Sequence, residues 1–353
     1  MLRPPALAVL LSLAAQPLAG QGARSYTLSG DRVAVYNLAG EITVRGGTGS
    51  AVTATVTPMG ADPGRLTVET GVLRGSETLR ILYPSDRIVY PALGRGSSTT
   101  LTTREDGTWG DEGEYRRTRE ERGGRRVTIR GDGSGLEASA DLTITVPTGK
   151  KVAVYLGVGT LEVANVDGDL KLSASSADVS ARQSRGSLSI ETGSGDIRAS
   201  DLDGQVTLDT GSGDVTLSGQ KNGKLNIDTG SGSVTGSNLD TPELRVDTGS
   251  GDIRLDAVRA PRLDLETGSG SVRADLAGAL ESVSVETGSG DVSLRLPQGI
   301  GATVELDTGS GSFEVALPVE LLRKDQGNLR GKIGDGRARV HIETGSGDIA
   351  LLK

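Results

Sequence analysis

Glu191–Asp196 reads ETGSGD. The hexapeptide returns as DTGSGD from Asp209, DTGSGS from Asp228, DTGSGD from Asp247 and ETGSGS from Glu266. It returns again as ETGSGD from Glu286, DTGSGS from Asp307 and ETGSGD from Glu343. Successive starts lie 18, 19, 19, 19, 20, 21 and 36 residues apart. A fixed period this short marks a stacked repeat, in which each unit buries its apolar face only against its neighbours. The final gap is two periods of 18, which leaves room for a weak repeat near Asp325–Gly327, while Leu317–Asp335 departs from the pattern as a bulged coil or an outward loop.

Within one period, Leu188 and Ile190 alternate with Ser189 and Glu191, and Ile197 and Ala199 follow the glycine segment. Val206 and Leu208, Leu225 and Ile227, and Leu244 and Val246 fill the same places further on. Alternation of period two in short runs reads as half-buried strand. Gly-Ser-Gly would break a helix. The expected fold is therefore all-β: a parallel β-solenoid, β-helix-like, with about 18–20 residues per coil and strands about 4.8 Å apart. The glycine pairs are the expected corners: Gly193 and Gly195, Gly211 and Gly213, Gly230 and Gly232, Gly249 and Gly251, Gly268 and Gly270, Gly288 and Gly290, Gly309 and Gly311, Gly345 and Gly347. Glycine serves such a corner either by positive φ or by close backbone approach. Leu351 and Leu352 end the last repeat, as a closing cap or as an edge open to another chain, so end-to-end self-association is one expectation.

Arg3, the apolar run 6–15 and the small residues Ala19, Gly20 and Ala23 read as a secretory signal peptide over 1–20, cleaved between 19 and 23. No later stretch is a transmembrane candidate. Export to the periplasm, cell surface or medium follows. Residues 24–149 form a less regular β-rich region, and 150–353 the regular repeat. All six tyrosines lie at or before Tyr155, and Trp109 lies there too, so this first half packs differently. Residues 94–126 interrupt it as a long polar loop or hairpin extension. That segment carries Asp111, Glu112 and Glu114, then Arg116, Arg117, Arg119, Arg122, Arg125 and Arg126, read as a solvated loop or as a contact for an anionic polymer, with Trp109 as a pin. The chain is acidic, with net charge −8, and has no nucleic-acid motif, so no nucleic-acid partner is expected.

The outward positions of the repeat form two acidic columns. One holds Glu191, Asp209, Asp228, Asp247, Glu266, Glu286, Asp307 and Glu343. The other holds Asp196, Asp214, Asp252, Asp291 and Asp348, with Ser233, Ser271 and Ser312 at the remaining places. Stacked like charges in the first column repel. Arg198, Arg254 and Arg273, raised carboxyl pKa values, corner amides or cations would offset this. Turn capping by Asp and Thr side chains explains the columns without a ligand. Calcium is the sharper reading, with Glu191, Asp196, Asp209, Asp214, Asp247, Asp252, Glu286, Asp291, Glu343 and Asp348 as weak metal candidates. The calcium β-roll pattern G-G-x-G-x-D-x-U-x, however, puts a residue between glycine and Asp that is missing here. No cofactor is otherwise expected. There is no cysteine, and the single histidine, His341, sits outward on a strand. No catalytic residue stands out. An enzyme acting on polysaccharide would need a patch that breaks the repetition, and 94–126 is the place for it.

Asn37-Leu-Ala-Gly40-Glu-Ile42-Thr-Val44 and the units Gly195-Asp-Ile197, Gly251-Asp-Ile253 and Gly347-Asp-Ile349 resemble the DUF4097 candidate-adhesin family of bacterial exported β-solenoid proteins. The likeness covers roughly residues 30–353, with the 94–126 loop as a departure. It implies a β-solenoid of this type and raises the expectation of a non-enzymatic structural or adhesion-like role. The partner would be an envelope polymer, a glycan or a protein. The family supplies no ligand-binding positions to carry over.

Overall fold

A computed structural model describes residues 14–17, 22–110 and 124–353. The chain divides into two compact units, one of residues 1–43 and 47–159, the other of 44–46 and 160–353. Both are built almost wholly of strands. Among the described residues no helix is long and apolar enough to cross a membrane.

The first unit is a mixed antiparallel and parallel assembly. Val52–Gly60 pairs antiparallel with Arg24–Leu28 on one side and with Ala138–Pro147 on the other. Its odd-even burial alternates along the strand, with Val52, Ala54 and Val56 fully buried. Thr67–Leu73 and Ser76–Leu82 form a hairpin. Arg74 and Gly75 both have positive φ, 50° and 77°, as a two-residue turn that follows the strand twist requires. Ala14–Pro17 pairs antiparallel with Thr67–Thr70. The rest of the expected leader lies outside the described residues.

The family-like stretch at Asn37 has a physical reason. Asn37 is fully buried, and its Nδ2 donates to the carbonyls of Ala39 (3.0 Å) and Ala140 (2.7 Å). Tyr83 hydroxyl lies 2.8 Å from Asn37 Oδ1. Burial pushes the Tyr83 pKa well above its usual range, so the phenol stays neutral. Gly40 has φ 138°, and a Cβ there would meet the Ala140 carbonyl oxygen at 2.0 Å.

The described parts of the 94–126 segment include strands. Ser98–Thr103 and Arg125–Arg130 pair antiparallel, and Arg87–Val89 pairs parallel with the latter, making a three-stranded sheet. The Asp111–Arg122 charges lie outside the described residues. Trp109 is buried and meets Tyr36 edge-on at 5.5 Å, while Tyr36 stacks on Tyr155 at 4.4 Å. That arrangement pins the segment with aromatic contacts.

In the second unit the repeat makes two parallel ladders in register. Before each corner run Arg185–Ser194, Asp203–Thr210, Leu225–Thr229, Glu243–Thr248, Arg262–Thr267 and Ser282–Thr287. Ile190, Leu208, Ile227, Val246, Leu265 and Val285 follow one another across this ladder and are all buried. After each corner Ile197, Val215, Val234, Ile253, Val272 and Val292 do the same. One rung buries a few β-branched or leucine side chains, and the next rung covers them.

The end of the ladder corrects one expectation. The last repeat in sequence is not the last in space. Ala338–Thr344 pairs parallel with Ser282–Thr287 on one side and with Ala302–Thr308 on the other. Ile349–Leu352 lies likewise between Val292–Arg295 and Phe313–Val315. Leu351 is fully buried, so it is neither a cap nor an open edge. The expected weak repeat near Asp325–Gly327 is absent. Asn328–Ile333 pairs antiparallel with Ala302–Thr308, and Glu320–Lys324 pairs antiparallel with Asn328–Ile333. The double-length gap is a hairpin laid over the ladder.

Candidate functional site

The corner sets the surface, and the backbone sets the corner. Each of the sixteen repeat glycines would drive a Cβ to within 2.7 Å or less of a backbone oxygen in the neighbouring rung. At Gly213 the distance to the Gly195 oxygen is 1.9 Å, and at Gly232 the distance to the Gly213 oxygen is 1.8 Å. Of the sixteen, Gly195 alone has positive φ. Close approach is therefore the general requirement.

A column of threonines locks these corners. Thr192, Thr210, Thr229, Thr248, Thr267, Thr287, Thr344 and Thr308 are all buried. Thr229 Oγ1 donates to the Gly213 carbonyl of the preceding rung at 3.1 Å and accepts from the Gly232 amide of its own corner at 3.1 Å. Thr248, Thr267, Thr287 and Thr344 repeat both bonds. Each hydroxyl thus satisfies one buried carbonyl and one buried amide where the strand hydrogen bonds stop. The sequence reading named Thr as a turn cap but did not place these residues in the site. Their signal is in the sequence: a threonine follows the leading Glu or Asp of every motif.

The Asp/Ser column caps the corner from outside. Asp196 Oδ1 accepts the Asp214 amide (3.1 Å), Asp214 Oδ1 the Ser233 amide (2.8 Å) and Asp252 Oδ1 the Ser271 amide (2.9 Å). Ser233 Oγ accepts the Asp252 amide at 3.3 Å. Asp291 Oδ1 accepts the Asp348 amide, and Asp348 Oδ1 accepts the amide and hydroxyl of Ser312. The Ser312 bonds hold the Asp348 carboxyl below the usual range. A serine oxygen can accept the same amide, which explains why Asp and Ser alternate in this column. Arg198 and Arg254 pair with Asp196 (2.7 Å) and Asp252 (2.6 Å). They serve this column, not the other one as expected.

The remaining column is the candidate site. Glu191, Asp209, Asp228, Asp247, Glu266 and Glu286 stand in register, followed by Glu343 and then Asp307. Six are exposed, while Asp247 and Asp307 are half-buried. Neighbouring members are about one strand spacing apart, roughly 4.8 Å at the backbone. Compensation is sparse. Arg245 approaches Asp247 at 3.9 Å, His341 approaches Glu343 at 3.9 Å, and Asn328 Nδ2 donates to Asp307. Partial burial, with Asp228 and Glu191 on either side, pushes the Asp209 carboxyl up. The column is a stripe of negative charge aimed at solvent from a parallel ladder in register.

Among the described residues no three of His, Cys, Asp or Glu gather into a group that could hold a metal ion. Of the ten metal candidates, Asp196, Asp214, Asp252, Asp291 and Asp348 each already accept a backbone amide. Glu191, Asp209, Asp247, Glu286 and Glu343 stand one per rung. The recess beside Gly168, Ser184 and Leu202 encloses about 10 Å³, room for about one water.

The Toastrack DUF4097 family model matches residues 141–352. The chain belongs to this family. Two crystal structures are similar over most of their length. One is a candidate adhesin from Bacteroides fragilis NCTC 9343, 12% identical, covering 94% of this chain and 98% of that one with a TM-score of 0.37. The other is a candidate cell adhesion protein from Clostridium sporogenes ATCC 15579, 11% identical, covering 94% and 99% with a TM-score of 0.24. A comparison with curated proteins returned no match. The Toastrack match takes in the repeat corners from Gly193 to Gly347 and with them both acidic columns.

Proposed function

We propose that this Toastrack chain is an exported, non-enzymatic protein with a structural or adhesion-like role, which presents its carboxylate column to a polymeric partner at the cell envelope. In this reading the leader over 1–20 is removed, and the ladders over 150–353 wind into a closed parallel β-solenoid. The partner is an envelope polymer, a glycan or a protein with repeated hydrogen-bond donors or cationic groups. One observation carries the reading. Eight outward carboxylates from eight rungs keep a single register, so a partner with a matching repeat meets the same side chain at each step. Weak contacts at fixed spacing add through effective concentration.

The test is binding of the purified chain to isolated envelope polymers and to a glycan array. The triple variant Asp228→Asn, Asp247→Asn, Glu266→Gln clears three adjacent rungs without touching the corner bonds. Its binding is expected to fall at least about tenfold, the equivalent of about 1.4 kcal/mol. Equal binding by the variant, or no binding by the native chain, would overturn the reading. Binding or melting that changed with calcium and chelator would point to an ion-dependent module instead.

A further inference from the structure

We propose that the outermost strand of the hairpin, Glu320–Lys324, pairs with the same strand of a second copy, antiparallel about a two-fold axis at Leu322. This goes beyond the envelope-binding reading and does not depend on it.

Because the last repeat is inserted inside the ladder, the outer strand at this end comes from the hairpin. Glu320–Lys324 pairs on one side, with Asn328–Ile333. All five of its residues are exposed. A register shift between Leu321 and Arg323 interrupts the alternation, so neither leucine turns inward. Leu321 and Leu322 are 56% and 64% exposed, higher than Met59 at 45% and Val72 at 55%. An open edge with two bare leucines is a template for another strand.

The charges select which strand. The sequence is Glu-Leu-Leu-Arg-Lys. Arg323 is held by Asp325, with Nε to Oδ2 at 2.7 Å. Among the described residues Glu320 and Lys324 have no ion pair. Antiparallel pairing about Leu322 sets Glu320 opposite Lys324 twice, Leu321 opposite Arg323 twice, and Leu322 opposite itself. Parallel pairing would set Glu on Glu and Lys on Lys, which is unfavourable. Basic residues and a bulge discourage pairing with an arbitrary strand. Here the same features are self-complementary in one orientation, and a two-fold interface is closed and does not propagate. A five-residue edge buries less than the about 1,000 Å² of a stable interface, so the dimer is weak and depends on concentration.

The experiment is sedimentation of the full chain over about 1 µM to 1 mM, where a weak dimer is populated. Native protein is expected to shift from monomer towards dimer. Glu320→Lys makes both ends of the strand positive and Lys324→Glu makes both negative. Each alone is expected to raise the dissociation constant at least about tenfold. An equimolar mixture of the two restores opposite charges at every end and is expected to dimerise at least as well as native protein. Both side chains are exposed and, among the described residues, in no ion pair, so circular dichroism should show unchanged folding. The chain has no cysteine, which allows a second readout. Opposed Cα atoms in an antiparallel pair sit about 4.5–5.5 Å apart, within disulfide reach. Leu322→Cys is expected to cross-link under mild oxidation at least about tenfold faster than Met59→Cys, an effective-concentration gain. A monomer throughout the range, single variants that dimerise like native protein, or equal cross-linking at the two sites would overturn the proposal.

Discussion

Replacing Thr229 with valine tests whether the hidden threonine column or the visible acidic one holds the corners. The change keeps the shape and removes only the hydroxyl. Thr229 is 1% exposed, so no water replaces the lost bonds. The Gly213 carbonyl loses a donor at 3.1 Å and the Gly232 amide loses an acceptor at 3.1 Å. Each orphaned buried group costs about 1–3 kcal/mol. The added methyl returns about 0.8 kcal/mol by burial. The net loss is therefore about 1–5 kcal/mol, or about 2–20 °C in Tm at the roughly 2–4 °C per kcal/mol of a unit this size.

The neighbouring Asp228→Asn is the control. Asp228 is exposed, and the change removes a like charge from the column, so Tm should stay the same or rise slightly. Stacked repeats open locally as well as globally. Hydrogen exchange at the Gly232 amide therefore gives a second measure, and its protection should fall in Thr229→Val and persist in Asp228→Asn. A Tm change below about 1 °C, far under the cost of two orphaned groups, would refute the reasoning. So would an equal effect from Asp228→Asn.

Gly213→Ala puts a Cβ 1.9 Å from the Gly195 oxygen, and the rung must move by about 1 Å or more. A loss of at least about 3 kcal/mol in denaturant unfolding is expected, against no loss or a gain of up to about 1 kcal/mol for Gly64→Ala, where the space is open. Deleting residues 337–353 removes the inserted rung that joins Ser282–Thr287 to Ala302–Thr308. Tryptic cuts at Arg323, Lys324 and Arg330 should then appear in limited proteolysis while earlier rungs stay protected; continued protection of 302–333 would contradict the observed order. The raised Asp209 carboxyl means that the folded state binds more protons than the unfolded one between the ordinary carboxylate range and the raised value. Stability should therefore fall as pH rises through that window, and Asp209→Asn should flatten this part of the Tm-against-pH curve. A carboxyl resonance titrating at or below the ordinary Asp range would remove the basis for that expectation.

The repeat was legible because one period contains all that a rung needs. Ile190 and Ile197 face inward by alternation, Glu191 faces outward, and Gly193 and Gly195 make room for the next backbone. Such information is local, so a single sequence displays it many times over. Bond partners were less legible, because Asp and Thr can cap their own turn or reach the next rung, and only the stacked backbone decides between these. In the first unit, the bunched tyrosines signalled different packing, but the pairing of Val52–Gly60 with Ala138–Pro147 depends on residues about eighty apart.

The order of the rungs was not legible at all, for a reason internal to repeats. The Glu343 rung presents an equivalent apolar pair (Val340 and Ile342 against Val304 and Leu306) and the same threonine and glycines as the Asp307 rung, so either fits beside the Glu286 rung. Motif identity makes the slots nearly equivalent, and the choice passes to the one stretch that is not a repeat. Residues 316–336 form an antiparallel hairpin over Ala302–Thr308 and occupy its outer side. The chain can then place its last repeat only on the inner side, against Ser282–Thr287. The same step leaves Glu320–Lys324 outermost with its leucines uncovered. Order at this end of the ladder and the surface it shows to a second copy thus come from the same connector, and a chain whose connector were shortened to one ordinary turn would lose both.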